Sequence, residues 1–206
     1  MYKTTHNIIM ALGIITVTTL AIPSVAMAEV ETYKIDNAHS FANWTIRHVA
    51  AKTSGTFSDV TGKLVIDRED LAKSTINAKI NMLSINTTNA KRDEHIQKPE
   101  YLDTAKFSEM TFVSTKVIAN SKTEGTITGN FTMHGVTKPI TMPFSVLGFG
   151  TDPWGGYRTG VEAKTTIKAS DYGYGWAAKL GAPVGDDIEV TLLIEGVKLP
   201  AEKSTK

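Results

Sequence analysis

The chain has 206 residues and no cysteine, so disulfide bonding, thiolate chemistry and lipoprotein-type lipidation are excluded and the fold must stand on packing. Its 22 basic and 21 acidic residues give a formal net charge of +1, with no run of like charge longer than a pair such as Lys91-Arg92. Nothing in that balance steers the protein to nucleic acid.

Residues 1–28 read as a secretory leader: Lys3 makes the start basic, Ile8 to Ile22 is apolar, and Ala26-Met27-Ala28 is a small-x-small cleavage site. A membrane anchor is the competing reading, but the apolar run is broken by Thr16, Thr18 and Thr19 and ends at Pro23, short of a span. Cleavage after Ala28 predicts a periplasmic protein with no transmembrane segment in its mature part, residues 29–206. That length suits one domain with a sizeable core or one barrel with a cavity. Lys3 is the leader's only charge, so the mature part is formally neutral.

From Tyr33 onwards the chain reads as one strand after another. Alternation is visible in Tyr33/Ile35, Ala42/Trp44/Ile46/His48, Leu64/Ile66 and Ile76/Ala78/Ile80/Met82. The exception is 86–103, where threonine and asparagine caps precede a polar segment that Pro99 stops; this predicts a short helix. Its few apolar side chains, Ala90 and Ile96 with Tyr101 and Leu102 just beyond, cannot hold it alone, so it must lean on one end of the barrel as a lid or plug.

Further strands are predicted at 110–118, 125–133, 137–149, 157–169 and 188–197, separated by Gly, Asn, Asp and Pro clusters. The clearest hairpin is 129–146, turning at His134-Gly135, with Phe131 and Met133 on one arm and Ile140, Met142, Phe144 and Val146 on the other. Pro139 and Pro143 must fall where no ladder donor is needed. Gly148 to Tyr157, around Trp154, reads as a rim loop, and Asp171 to Gly185 as a second irregular region. Eight or so strands with short connections give an all-β, antiparallel barrel or sandwich, and sequential hairpins favour an up-and-down barrel over a Greek key.

Several short segments then carry a resemblance. They are Tyr33-Lys34-Ile35-Asp36 with His39, Trp44 to His48, Gly55-Thr56-Phe57, Ser84-Ile85-Asn86-Thr87 and Arg92-Asp93-Glu94-His95-Ile96. They continue with Tyr101-Leu102-Asp103, Phe112-Val113-Ser114, Gly129-Asn130-Phe131-Thr132, Gly135-Val136-Thr137-Lys138-Pro139 and Asp152-Pro153-Trp154-Gly155-Gly156. In this order and spacing the mature chain resembles the YceI-like family of periplasmic polyisoprenoid-binding proteins. The resemblance implies an extended eight-stranded antiparallel lipocalin-like barrel, closed at one end by a short helical segment, that holds a long-chain isoprenoid or similar amphiphilic lipid, of the isoprenoid quinone, polyprenol or fatty amide type, lengthwise. The chain departs from the family pattern at 169–185, where Lys168 precedes Ala169-Ser170-Asp171-Tyr172-Gly173 and an insertion from Tyr174 to Pro183 follows.

Alternation nominates an inward face of Trp44, Ile46, Phe57, Ile80, Met82, Phe112, Phe131, Met133, Ile140, Met142, Phe144, Ile167, Leu192 and Ile194. By itself it leaves open whether these side chains fill the barrel or wall a cavity; the resemblance implies the cavity. Methionines suit an adaptable wall.

His48 continues the inward alternation, and Arg92 and His95 lie on the helical segment, so these three are the candidates to meet a ligand headgroup. The plainer alternatives are a strand-end histidine satisfied by backbone or water, and a solvated helix face stabilised by local pairs. His134 is assigned to the turn. No histidine pair has metal-ligand spacing, no G-x-S-x-G nucleophile is present, and the glycines of 148–156 lack the Lys and Ser/Thr of a phosphate loop. The expectation is therefore a lipid carrier or store that is not an enzyme and uses no metal or cofactor; a homodimer is compatible with the sequence. Two competing readings are a hydrolase or isomerase acting through His48 or His95 with a carboxylate such as Asp93, and a structural or stress-related barrel with a filled core.

Overall fold

The computed structural model describes residues 30–177, 179 and 181–200. The leader expected at 1–28 lies outside them. Among the described residues no helix is long and apolar enough to cross a membrane.

Eleven ladder segments close into an eight-stranded antiparallel barrel. They are β1 (Glu31–Ile35), β2 (Phe41–His48), β3 (Ala51–Phe57), β4 (Val60–Ile66), β5 (Thr75–Asn81), β6 (Ile85–Asn86), β7 (Glu109–Ala119), β8 (Glu124–Met133), β9 (Val136–Thr151), β10 (Tyr157–Lys168) and β11 (Val184–Lys198). The two numbers agree because three strands are interrupted. β1 and β2 both pair with β11, β3 and β4 pair with β2 and β1, and β6 and β5 continue that course. Each of these segment pairs acts as one bent strand, so every strand neighbours the next in sequence and β11 returns to β1: the order is up-and-down.

The three breaks are joined by one carboxylate. Asp59, between β3 and β4, accepts from Asn37 Nδ2 at 3.1 Å in the first break and from Asn81 Nδ2 at 3.0 Å beside the third. Its own N–H donates to Ser84 Oγ at 3.1 Å. A buried backbone that leaves its ladder must find other partners, and here short polar side chains supply them.

β11 closes the barrel against both halves of the first bent strand: seven residue pairs join it to β2, from Val184↔His48 to Leu193↔Phe41, and three join it to β1, Tyr33↔Lys198, Lys34↔Val197 and Ile35↔Gly196. Tyr33, fully buried, donates its hydroxyl to Glu31 Oε2 at 2.6 Å, and Lys198 Nζ reaches Glu31 Oε1 at 2.8 Å. Burial and the adjacent carboxylate raise the Tyr33 phenol, so it stays a donor.

The β8–β9 hairpin turns on His134 (φ 52°) and Gly135 (φ 74°), the two positive angles that a two-residue type I′ turn requires. Beyond Ala163↔Phe144 the described pairing of β10 with β9 stops. Pro139 and Pro143 lie just outside that limit, where they forfeit no donor to β10. The two strands part there, and the segment after β10 fills the space. Tyr172 sets its ring edge against Phe131 (5.4 Å between centroids), and His134 Nδ1 lies 3.0 Å from the Tyr172 carbonyl oxygen.

The predicted helix is α1 (Ala90–Ile96). Asn89 caps it by accepting the Arg92 N–H at 3.1 Å. It ends before Pro99, because the residue preceding a proline is pushed out of the helical region. Ile96 and Leu102 pack against the barrel interior, as the lid-like expectation requires.

Candidate functional site

The barrel interior is hollow, so the filled-core expectation does not hold. A cavity of about 470 Å³ runs from the α1 end, where Arg92, His95, Tyr101, Tyr174 and Trp176 border it, to the opposite end at Leu71 and Ser74. Every apolar residue nominated by alternation is on its wall: Trp44 and Ile46 from β2, Phe57 from β3, Ile80 and Met82 from β5 and its end, and Phe112 from β7. Phe131 and Met133 come from β8, Ile140, Met142 and Phe144 from β9, Ile167 from β10, and Leu192 and Ile194 from β11.

The hollow survives in spite of so many large side chains because three aromatic rings lie against glycines. A Cβ on Gly55 would stand 2.5 Å from the Trp44 ring, one on Gly129 2.4 Å from Phe112, and one on Gly125 2.8 Å from Phe144. With no side chain beneath them these rings lie flat along the wall instead of crossing the lumen. Glycine here is a spacer.

Among the described residues the wall holds no carboxylate and no lysine; its only cationic candidates are Arg92, His48 and His95. Arg92 is largely committed within its own segment, with Nε donating to Thr87 Oγ1 at 2.8 Å and Nη2 to the Thr87 carbonyl at 2.5 Å. Asp93, the expected catalytic companion of the histidines, accepts the Thr87 N–H at 2.9 Å and hydroxyl at 2.5 Å. Thr87 is buried, so this knot fastens α1 to β6. His95 instead meets the Tyr101 ring at 4.7 Å. His48 ends β2, exposed, at the mouth.

The inward list omitted Leu64, Ile66, Ile76 and Ala78, whose alternation is visible, and further wall residues that alternation cannot reach, of which Tyr101 and Leu102 were expected only to lean on the barrel end. Tyr174 and Trp176 sit in an irregular glycine-rich segment, and Tyr101 and Leu102 follow the helix; all four line the cavity. An aromatic file holds the first two in place: Phe107 to His134 at 4.2 Å, His134 to Tyr174 at 4.5 Å, and Tyr174 to Trp176 at 5.7 Å. His134 thus serves more than its turn. The available signal was composition, three aromatic residues spaced by glycine in Tyr172-Gly173-Tyr174-Gly175-Trp176.

A second polar cluster lies on the outside of the barrel, where ligand atoms of Asp36, His39 and Glu195 come within 4.8 Å of one another. The Arg158 guanidinium already occupies its centre: Nη1 donates to Asp36 Oδ2 at 2.6 Å and to Glu195, and Nε to Asp152 Oδ2 at 2.6 Å. That built-in cation holds Asp36 down to about 2 and also lowers Asp152. The cluster is a clasp across β1, β10, β11 and the 152–156 turn.

Comparison with known proteins agrees with this geometry. The model of the YceI-like domain matches residues 33–196. The chain belongs to the YceI-like family. Curated relatives include the YceI protein of Salmonella newport, 40% identical over 172 residues and covering 81% of this chain and 86% of that one. A UPF0312 protein of Shewanella sp. strain ANA-3 is 39% identical over 174 residues, covering 83% of this chain and 90% of its own. Among solved structures, the YCEI protein of Campylobacter jejuni superposes with a TM-score of 0.64 at 26% identity, over 71% of this chain and 85% of that chain. A polyisoprenoid binding domain from Saccharophagus degradans gives 0.61 at 18% identity over 81% of this chain and 98% of its own, a likeness of fold. The YceI-like barrel, with one short helix against it, is thus the shared architecture.

Proposed function

We propose that the protein is a non-catalytic periplasmic carrier or store for a long-chain isoprenoid or similar amphiphilic lipid, exported by the leader at 1–28 and held in the barrel interior. The observation that carries this reading is the cavity itself, long, apolar and continuous from the α1 end to the far rim. β11 spans 15 residues, which at a rise of ~3.3 Å per residue and the ~40° tilt usual in barrels amounts to roughly 38 Å along the axis. That is the shape of an extended tail, not of a compact metabolite.

Burial of a tail yields ~0.8 kcal/mol per methylene-sized group. Several isoprene units therefore exceed association costs of about 4 to 15 kcal/mol and leave micromolar affinity or better. The wall residues named above grip the tail, and His48, Arg92 and His95 border the mouth where a head emerges. Chemistry on the cargo finds little support, since Asp93 faces Thr87 and, among the described residues, the wall carries no carboxylate. The name of the Saccharophagus relative points the same way.

Native mass spectrometry of protein purified from its own periplasm, followed by organic extraction, tests the proposal. A stoichiometric long-chain lipid is the expected result. Phe131→Asp and Met133→Asp, which place an unpaired carboxylate in a dry tunnel, should abolish uptake of added polyprenol while circular dichroism still reports the barrel. Uptake that survives in folded variants overturns the assignment of the interior as the binding site.

A further inference from the structure

Outside residues 1–28 the chain has four methionines, Met82, Met110, Met133 and Met142, and all four stand on the cavity wall. Hydrophobicity alone does not place them there, because leucine, of similar size, is used both ways: Leu64, Leu71 and Leu192 line the cavity, whereas Leu83, Leu147 and Leu193 lie exposed. Three of the four methionines gather at the α1 end. Met82 follows β5, its N–H donating to the Ser108 carbonyl at 2.8 Å; Met110 is the second residue of β7, and Met133 is the last of β8 before the His134-Gly135 turn. Met142 lies deeper, opposite Ile127. None of the four is more than 6% exposed, so a dissolved reagent reaches their sulfurs by way of the lumen. With no cysteine in the chain, these thioethers are its only sulfur atoms beyond residue 28.

We infer that the wall methionines are a site of oxidative modification that controls occupancy: a hydroperoxide converts Met82, Met110 and Met133 to the sulfoxide in the empty barrel, the modified wall rejects the cargo, and a seated cargo shields the sulfurs. The inference rests on the carrier reading above and adds to it a means of release.

Hydrogen peroxide delivers one oxygen atom to a thioether: the O–O bond breaks, an S–O bond forms, the sulfur is oxidised by two electrons and the peroxide leaves as water. A polar, chiral side chain then stands where a soft apolar one stood. In an empty lumen water serves the new oxygen. Beneath a hydrocarbon tail the same oxygen is stranded without a donor, a costly burial. Oxidation therefore favours the empty state over the loaded one, and only such a difference between states can shift occupancy. The tail in turn fills the route by which peroxide arrives. Leucine at the same places would give an equally apolar wall with no such response. Methionine sulfoxide reductases restore the thioether, so the change can be reset.

Phytanol, a saturated isoprenoid alcohol whose tail peroxide does not attack, serves as the probe. Mature protein freed of lipid is treated with hydrogen peroxide in the presence and absence of phytanol. Peptide mass spectrometry locates the sulfoxides, and phytanol affinity is measured by competition against anilinonaphthalene sulfonate. Met82, Met110 and Met133 should each gain one oxygen, severalfold more slowly when phytanol is bound. Oxidised protein whose circular dichroism still reports the barrel should bind phytanol about tenfold or more weakly. The triple variant Met82→Leu, Met110→Leu, Met133→Leu, a volume-conserving change, should keep through the same treatment whatever affinity it starts with. Met133→Leu alone, the milder change, should keep part of it. Sulfoxides that appear equally fast with and without phytanol overturn the shielded site. Oxidised, folded protein of undiminished affinity overturns the switch, as does a triple variant that loses affinity as the wild type does. Collapse of the barrel on oxidation also overturns it, since the thioethers would then serve packing and not the cargo. Unoxidised protein that takes up no phytanol overturns the carrier reading itself.

Discussion

Asp36 holds two elements with one carboxylate. One oxygen caps the turn at 37–39 by accepting the Ala38 N–H at 3.1 Å; the other accepts from Arg158 at 2.6 Å and faces His39 Nδ1 at 2.9 Å. The guanidinium is the chief reason its pKa falls to about 2 from an ordinary 3.8. A carboxyl depressed on folding contributes stability in full above its unfolded value and loses it as pH falls through the folded one. The contribution of Asp36 is therefore complete at neutral pH and disappears between about pH 4 and pH 2. Asp36→Asn should lower the urea midpoint at neutral pH and show a shallower further loss in that acid window, so that wild type and variant converge at its lower end. Midpoints that stay parallel through the window would show that the clasp is not what acid releases. The motif Tyr33-Lys34-Ile35-Asp36 was visible in the sequence, but its partner was not: Arg158 stands 122 residues away in a strand whose alternation concerns the inner face alone.

At the scale of elements, α1 shows what a seven-residue helix needs. Too short to persist alone, it is capped by Asn89, knotted to buried Thr87 through Arg92 and Asp93, and anchored by Ile96. Asn89→Ala removes the cap, at a cost of about 1 kcal/mol. Because the helix contributes little to the barrel ladders, that cost should appear locally. Amide exchange across 90–96 should quicken severalfold while β7 to β11 keep their protection, and a bound lipid should leave faster. Exchange that quickens equally in the strands would place α1 in the barrel's cooperative unit. The helix was legible within 86–103 because caps, polarity and Pro99 all agree. The strand breaks were not legible as bends, since the inward parity changes at each, from Tyr33/Ile35 to Ala42/Ile46, from Phe57 to Val60/Leu64 and from Ala78/Met82 to Ile85, which reads as separate strands; the Asp59 hydrogen bonds show the three strands bending together.

For the molecule as a whole, the up-and-down order could be read from sequential hairpins, because each strand needs only its neighbour in sequence. Closure and hollowness could not. Whether an aromatic residue fills a lumen or lies along its wall depends on the glycine across the ladder, a pairing that period-two alternation does not encode; Trp44 over Gly55 is the clearest instance. Closure likewise turns on Gly196, where a Cβ would stand 2.9 Å from Tyr33 Cβ and 3.1 Å from Leu64 Cδ1. Gly196→Val should overpack this seam by about 1–3 kcal/mol, lower the melting temperature, and expose the amides of β1 to exchange before those of β8. Protection of β1 that matches β8 in the variant would mean that the seam is not the weak join.

The order in which a ribosome makes the chain gives that seam a further meaning. Every other ladder joins bent or straight strands that follow one another in sequence and can form as the chain lengthens, but β1 and β2 wait for β11, residues 184–198. These contacts span nearly the whole described chain, and long loops are closed late and slowly. Until then the sheet is an open ribbon with two unpaired edges and a bared greasy face, the state most prone to join another copy of itself. The last strand to be made, through its pairs with β2 and β1, decides whether the product is a vessel or a template for aggregation.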